Sequence, residues 1–374
     1  MGPSLIALAV PLFFLGMAWE GWAGRRRGVR VFRTGDALAD VGCGVAQQLV
    51  ALLVSNALVL EVYQAVHVHR IWTLPGAWLP WVGAVVGVEL AYYWWHRLSH
   101  EVNLLWAAHV VHHQSEDYNL AVALRQSVLT WATTLPFYLP LALLGIPPIP
   151  FAVVLSLSTL YQFWIHTELV PALPAFERWF NSPALHRVHH AINPGYLDKN
   201  HAATFSWLDR LFGTFQPEGD PCVYGTTRPL RSFNPLWAQV ETGWRLFRNA
   251  ARAPSPGEGW RLLWRSPAWR PEWLVQLEPG VSKALPREKY DPPVSPAVAR
   301  YAVGQWVVVV SGTFALLMLG RELPAVVRAG GVAATVAALL TLPGLVEGRP
   351  WARPAEAARV AVTVLGAGSW WCFG

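Results

Sequence analysis

Eight of the twelve histidines fall into three short clusters, His96-x-x-x-His100, His109-x-x-His112-His113 and His186-x-x-His189-His190. On a helix, residues three and four apart share one face, so each cluster can aim its imidazoles at a single point. Imidazole-rich sites without thiolates suit iron, zinc, copper or nickel. So many ligands exceed what one ion takes, and two metal ions are expected, with coordination positions left for oxygen or substrate. Histidines that merely pack at an interface are a weak alternative, because ionisable side chains rarely gather beside apolar segments without a role. Cys43, Cys222 and Cys372 are far apart and form no CxxC pair, which supports neither a disulfide framework nor a thiolate metal site.

Further candidates flank the clusters. Gln162-x-x-x-His166 repeats the i, i+4 spacing with glutamine in place of one imidazole. His166 is read as an additional ligand and Gln162 as a weaker one, acting through its carbonyl or a water. Neighbouring carboxylates are candidates to orient imidazole N–H groups. Glu116 and Asp117 follow His113 by three and four residues and would share its helix face, with a solvated surface role as the alternative. Glu101 adjoins His100. Glu89 lies two turns before His96 within an apolar segment, where an unpaired carboxylate is costly, so a buried histidine or arginine partner is expected. His201 either approaches the site or caps a turn, while His67 and His69 fall on the opposite side of the membrane and are excluded.

The elements that must hold these residues are membrane helices. With 53% hydrophobic residues, 14% charged and 22 Trp, the composition indicates a polytopic membrane protein rather than two or three soluble domains. Apolar runs near the ~20 residues that span a bilayer occur at about 3–22, 40–62, 75–95, 128–147, 150–168, 301–320 and 329–346. The stretch 360–374 is short for a span and is left open. The first run has no basic region before it and no small-residue cleavage site after it, which reads as a retained span. Arg25, Arg26, Arg27, Arg30 and Arg33 then mark a cytoplasmic loop, and counting from there brings every histidine cluster to the cytoplasmic face of a plasma or inner membrane. The expected fold is an all-α integral membrane protein, a multi-span helical bundle with a cytoplasmic histidine-rich helical cap that holds a dimetal site.

Three regions follow: N-terminal spans over 1–95, a histidine-bearing region over 96–296, and C-terminal spans over 297–374. The middle region comprises a membrane hairpin, 128–168, and a cap, 170–296. Asn181-Ser182-Pro183 offers an N-cap followed by proline at the first helical position, which makes Ala184 to His190 helical. Trp237, Val240, Trp244 and Phe247 repeat at helical spacing opposite Arg245, Arg248 and Arg252, the pattern of an interfacial amphipathic helix or of one packed on the cap. The many prolines between 254 and 296 rule out continuous helix and predict a mostly irregular linker. The net charge of +6 flanks the spans, which fits anionic lipid head groups better than nucleic acid.

With HxxxH, HxxHH and a later HxxHH set among spans, the chain resembles the fatty acid hydroxylase and sterol desaturase superfamily. Longer strings are similar to its alkylglycerol monooxygenase branch: Tyr92 to Arg97, His100 to Asn103, Ser115 to Asn119, Ala123 to Ser127, Tyr161 to Glu168, His186 to His190, Asp198 to Asn200 and Trp207 to Phe215. The likeness is dense over roughly 85–240 and looser in the flanking spans. It implies a diiron, O2-dependent monooxygenase acting on a lipid chain, with zinc as an alternative occupant after purification. The branch further implies tetrahydrobiopterin as reductant and cleavage of an alkyl ether; a redox protein is the other class of electron donor. Carried over residue by residue, the ligands would be His96, His100, His109, His112, His113, His166, His186, His189 and His190, with Gln162 where relatives can have histidine. Glu101 matches a carboxylate of the branch. Together with Glu89 and Asp117 it completes the candidate catalytic set. His201 stands where the string does not call for histidine.

Oxidising an unactivated C–H bond needs chemistry that side chains alone do not supply, and zinc cannot cycle between oxidation states. Iron is the natural choice. Oxygen insertion beside an ether oxygen would give a hemiacetal that collapses to an aldehyde and an alcohol; on a fatty acid or sterol the same step gives an alcohol or a double bond. A divalent-metal transporter also places histidines near spans, but sets them near the midplane on broken helices. A zinc scaffold or hydrolase would lack any evident nucleophile or general base.

Overall fold

The computed structural model describes residues 5–54, 56–278, 288–320 and 322–373. Apolar stretches that leave water must close their backbone hydrogen bonds internally, and the chain does so almost entirely with helices. In order these are α1 (Leu5–Arg26), α2 (Thr34–Val54), α3 (Asn56–His67), α4 (Leu79–Glu101), α5 (Asn103–His113), α6 (Thr130–Leu143), α7 (Pro148–Trp164), α8 (Pro183–His190), α9 (Trp207–Phe212), α10 (Pro235–Ala251), α11 (Pro256–Trp264), α12 (Glu272–Leu277), α13 (Pro296–Leu319), α14 (Ala325–Val346) and α15 (Ala352–Phe373). Among the described residues the single β pairing is a bridge between Ala191 and Tyr224.

The architecture is that of an all-α membrane protein. Among the described residues, α13 and α14 are long and apolar enough to cross a membrane. On α1 the side chains of Leu8, Leu12, Leu15, Trp19 and Trp22 all point outward and exposed, an apolar stripe suited to lipid. Two packed cores hold the bundle. Val45 and Leu49 of α2 meet Trp306 of α13 and Leu339 and Leu342 of α14. Val88 of α4, Tyr138 of α6 and Phe151 of α7 surround Tyr63 of α3, whose ring stacks on Phe151 at 4.0 Å. The α6–α7 hairpin turns at Gly145, where φ is +93° and a Cβ would run into the Trp72 carbonyl oxygen. Only glycine fits both demands.

The structure changes one expectation and sharpens two. The run 40–62 is covered by two helices: α2 packs on α13 and α14, whereas α3 packs on α6 and α7. The proline-rich stretch does contain helices, since Pro256 occupies the first turn of α11 and the Ser255 side chain caps the Glu258 N–H; proline is tolerated at that first position because an N–H there would have no helical partner. Residues 279–287 of that stretch lie outside the described residues. Residues 360–373 of the C-terminal segment belong to a continuous helix, α15, packed on α14. On α10, Trp237, Val240, Trp244 and Phe247 are exposed while Ala238, Thr242 and Leu246 are buried.

Candidate metal centre

Three structural devices bring the histidines together. Helix α4 continues past its apolar run, so His96 and His100 sit one turn apart at its end. Val102, in an extended conformation, breaks the helix and lets α5 fold back with His109, His112 and His113. Helix α8 starts at Ser182, whose Oγ accepts the Leu185 N–H at 3.2 Å and donates to Glu177 Oε1 at 2.7 Å. Pro183 follows at its first position, as the sequence predicts. His186, His189 and His190 then face the same interior point as His166, which follows the end of α7.

The nine imidazoles form two buried groups. His96, His100, His109, His113 and His189 make one, and His112, His166, His186 and His190 the other; within each, the candidate ligand atoms lie within 4.8 Å of one another. Ring stacking of His113 on His190, 4.4 Å between centroids, joins the two. Burial pushes the His112 imidazole down to about 4 and that of His189 to about 3. Burial, then neighbouring imidazoles, lowers His109, His113, His186 and His190 as well. The rings are therefore neutral at physiological pH, the form that ligates metals.

Their tautomers follow from the backbone. His112 Nδ1 lies 3.0 Å from the Arg125 carbonyl and His166 Nδ1 2.6 Å from that of Gln162. A carbonyl only accepts, so both hydrogens are on Nδ1 and both Nε2 atoms are bare acceptors. Yet these Nε2 atoms are 3.2 Å apart. Two lone pairs facing each other in a buried site repel unless a cation lies between them. A metal ion held by both Nε2 atoms would remove that repulsion. In the first group, His96 Nδ1 donates to the His201 carbonyl at 2.7 Å and His189 Nδ1 to that of Lys199 at 2.9 Å. The opposite nitrogens, His96 Nε2 and His189 Nε2, are buried without a hydrogen-bond partner, as is His100 Nε2. Both donor sets fit metal ions.

Carbonyls, rather than the expected carboxylates, orient these four rings, and buried polar residues fix the carbonyls. Asp209 accepts the His201 and Ala202 N–H groups at 2.7 and 3.1 Å and the Thr214 hydroxyl at 2.8 Å. Burial raises its carboxyl to about 6. Asn200, at φ +53°, donates to the Leu185 and Gln216 carbonyls. Arg125 is fully buried and donates to the Val111 carbonyl, Gln114 and Asp40. Gly44 permits this approach: a Cβ there would meet the Leu124 carbonyl at 2.6 Å. No metal-ligand spacing pointed to Asp209, Asn200 or Arg125; their signal was membership of the strings that carry the family resemblance.

The other candidates lie elsewhere. Gln162 enters neither group: its Oε1 accepts from the Tyr92 hydroxyl at 2.6 Å and its Nε2 donates to the Ser158 carbonyl at 3.1 Å. Glu89 is buried, but its partners are the Ser158 hydroxyl at 2.7 Å and the Thr204 N–H at 3.0 Å, in place of a histidine or arginine. Glu101 pairs with Arg97 at 2.9 Å on a partly exposed face. Asp117 lies beyond the end of α5, so it leaves the His113 face; it binds Arg33 and Lys289 at 2.9 and 2.7 Å. Glu116 accepts the Tyr290 N–H. His201 turns its buried ring toward the first group, 5.2 Å from His100 between centroids, with neither ring nitrogen hydrogen-bonded.

Two cavities reach the centre. One, of about 450 Å3, runs among α1, α2, α6, α7 and α13 to His109, His112 and His166. Among the described residues no charged side chain lines it. The other, of about 510 Å3, lies in the cap and reaches His100, His113, His189 and His190.

The profile of the fatty acid hydroxylase family matches residues 81–214, which include every imidazole of both groups. The chain is 38% identical over 274 residues to the human alkylglycerol monooxygenase, covering 72% of this chain and 61% of that one. It is 38% identical over 315 residues to the zebrafish (Danio rerio) alkylglycerol monooxygenase, covering 81% and 69%, and 36% identical to that of Xenopus tropicalis, covering 72% and 60%. The chain thus spans about three fifths of the length of the first of these relatives. No solved structure matches.

Proposed function

Because this chain belongs to the fatty acid hydroxylase family of membrane oxidoreductases, we propose that its nine imidazoles hold two iron ions and that it is an O2-dependent monooxygenase of uncharged ether lipids. The observation that carries the metal assignment is the pair of facing Nε2 lone pairs of His112 and His166 at 3.2 Å. The proposed ligands are His96, His100, His109, His113 and His189 for one ion and His112, His166, His186 and His190 for the other. Bound iron would supply the redox capacity that the side chains lack.

The chain's own residues do the rest. The apolar cavity takes the alkyl tail from the bilayer and excludes water from the reacting carbon. Its polar lining, including Gln47, Gln48, Gln126 and Tyr92, is uncharged. A glycerol head group can hydrogen-bond there, whereas a fatty-acid carboxylate or a phosphate would be buried without a cationic side chain to pair with. That difference favours the ether lipid over the fatty acid. Oxidation at the carbon next to the ether oxygen gives a hemiacetal, which separates into an aldehyde and an alcohol. The carbonyls of His201, Arg125, Gln162 and Lys199 hold the ring tautomers fixed throughout.

The proposed reductant is tetrahydrobiopterin, as the resemblance of the sequence strings to the alkylglycerol monooxygenase branch implies. The proposed setting is a multi-span protein of the plasma or inner membrane, with 1–95 and 297–374 as flanking spans and the centre in 96–296 on the cytoplasmic face. Support for that face comes from the arginine-rich loop after α1.

Metal analysis of the anaerobically purified protein, with mass spectrometry of an alkylglycerol incubated with it, O2 and reductant, tests the reading. Two irons and an aldehyde product are expected. His112→Ala should abolish oxidation while the protein remains inserted; undiminished turnover would remove His112 from the ligand set.

A further inference from the structure

The two cavities share no lining residue. The apolar one touches His109, His112 and His166; the cap cavity touches His100, His113, His189 and His190. The imidazoles therefore stand between an apolar cavity without charged lining and a cap cavity whose wall carries charged as well as apolar groups. A lipid chain entering from the bilayer has no need of the second.

We infer that the cap cavity is the binding site of a small, flat, uncharged two-electron donor, which approaches the metal centre from the face opposite the lipid. The inference rests on the oxidase reading above. Oxidation of a C–H bond by O2 is balanced only if a donor gives up two electrons and two protons: one oxygen atom enters the C–H bond and the other leaves as water. The cavity volume, about 510 Å3, lies within the range of small-molecule and cofactor sites and is too small to admit a protein. Trp106 lines it beside the imidazoles, its ring 5.0 Å from that of His100 and 5.5 Å from that of His113. A planar ligand stacked on this indole would sit against the first imidazole group.

Charge selects further. Among the described lining residues Asp198, Glu241 and Glu278 balance Arg228, Arg245 and Arg270. Several are already paired: Glu278 with Arg228 at 2.7 Å, and Glu241 with Arg245 at 3.1 Å. The wall has hydrogen-bonding groups of both signs and no excess cation, which suits a neutral heterocycle and disfavours a donor carrying several phosphates.

The test uses the full chain in lipid nanodiscs, loaded with redox-inert zinc and titrated anaerobically with tetrahydrobiopterin, tryptophan fluorescence being the readout; NADPH is the charged comparison. Ala268 and Thr227 are exposed lining residues of the cap cavity, so Ala268→Trp and Thr227→Trp obstruct it without disturbing the core. Both should weaken tetrahydrobiopterin binding by about tenfold or more, through lost contact and lost volume. Thr159→Trp, in the lipid cavity, should leave it unchanged. In the iron-loaded protein Ala268→Trp should raise the KM for tetrahydrobiopterin and not that for lipid. No binding by the unaltered protein, tighter binding of NADPH, equal binding in the obstructed variants, or a raised lipid KM instead would each overturn the inference. If binding behaves as expected but no lipid is oxidised, the oxidase reading fails and the donor site stands. If lipid is oxidised and the obstructed variants bind and turn over like the unaltered protein, the donor site fails and the oxidase reading stands.

Discussion

Loading the metal-free protein with a divalent metal at pH 6.5 should release almost no protons. Seven of the proposed ligands, His109, His112, His113, His166, His186, His189 and His190, lie outside the membrane-spanning segments. Were these rings solvated, with the ordinary imidazole value of about 6.5, half of each would be protonated and loading would expel about 3.5 protons. Burial changes this. With the His112 imidazole pushed down to about 4, only about 0.3% of it is protonated at pH 6.5, and His189, at about 3, carries less. The other five are lowered well below the ordinary value by the same burial. Calorimetric titration in two buffers of different ionisation enthalpy counts the protons directly. Release of three or more would show that the rings are solvent-accessible and protonated before the metal arrives, and would refute a centre built dry and neutral by the fold.

The same shifts set the acid response. A folded-state value below the unfolded one means that the unfolded chain takes up protons first as pH falls, so stability present above about 6.5 is lost on acidification; His112 alone accounts for about 3 kcal/mol by pH 4. Thermal unfolding of the metal-free protein in detergent should therefore shift downward from pH 6.5 to pH 4.5, and a flat profile would contradict it. Asp209→Ala removes the acceptor for the His201 and Ala202 N–H groups and frees the carbonyl that orients His96. Metal affinity at the first group should drop by about 10- to 100-fold, the usual cost of an outer-shell partner, as measured by chelator competition. Gln162→Leu should retain two metals by elemental analysis, because the Gln162 amide is bonded to Tyr92 and Ser158; loss of one metal would return Gln162 to the ligand set.

Legibility differed between residues for physical reasons. His96 and His100, or His186, His189 and His190, converge through helical spacing, which is local and visible along the chain. The N-cap of α8 at Ser182 and Pro183 was equally local. The carboxylates were not legible in this way, because adjacency in sequence says nothing of direction once a helix stops: α5 ends at His113, and Asp117 turns away to Arg33, 84 residues distant in the chain. Glu89 illustrates a second limit. Burial in a span does demand a partner, but hydroxyl and backbone donors from Ser158 and Thr204 meet that demand as well as a charge would.

Composition and the spacing of histidines by themselves determined an all-α membrane protein with imidazoles enough for two metals, since apolar length and helical periodicity are properties of short segments. Only the tertiary structure decided how nine rings from α4, α5, α8 and the end of α7 divide into groups of five and four, and which carbonyls fix their tautomers. Those choices depend on chain segments brought together across long separations, such as Asp209 holding the loop behind His96. They also depend on burial, which keeps the seven rings outside the spans neutral and exists only once the helices have packed.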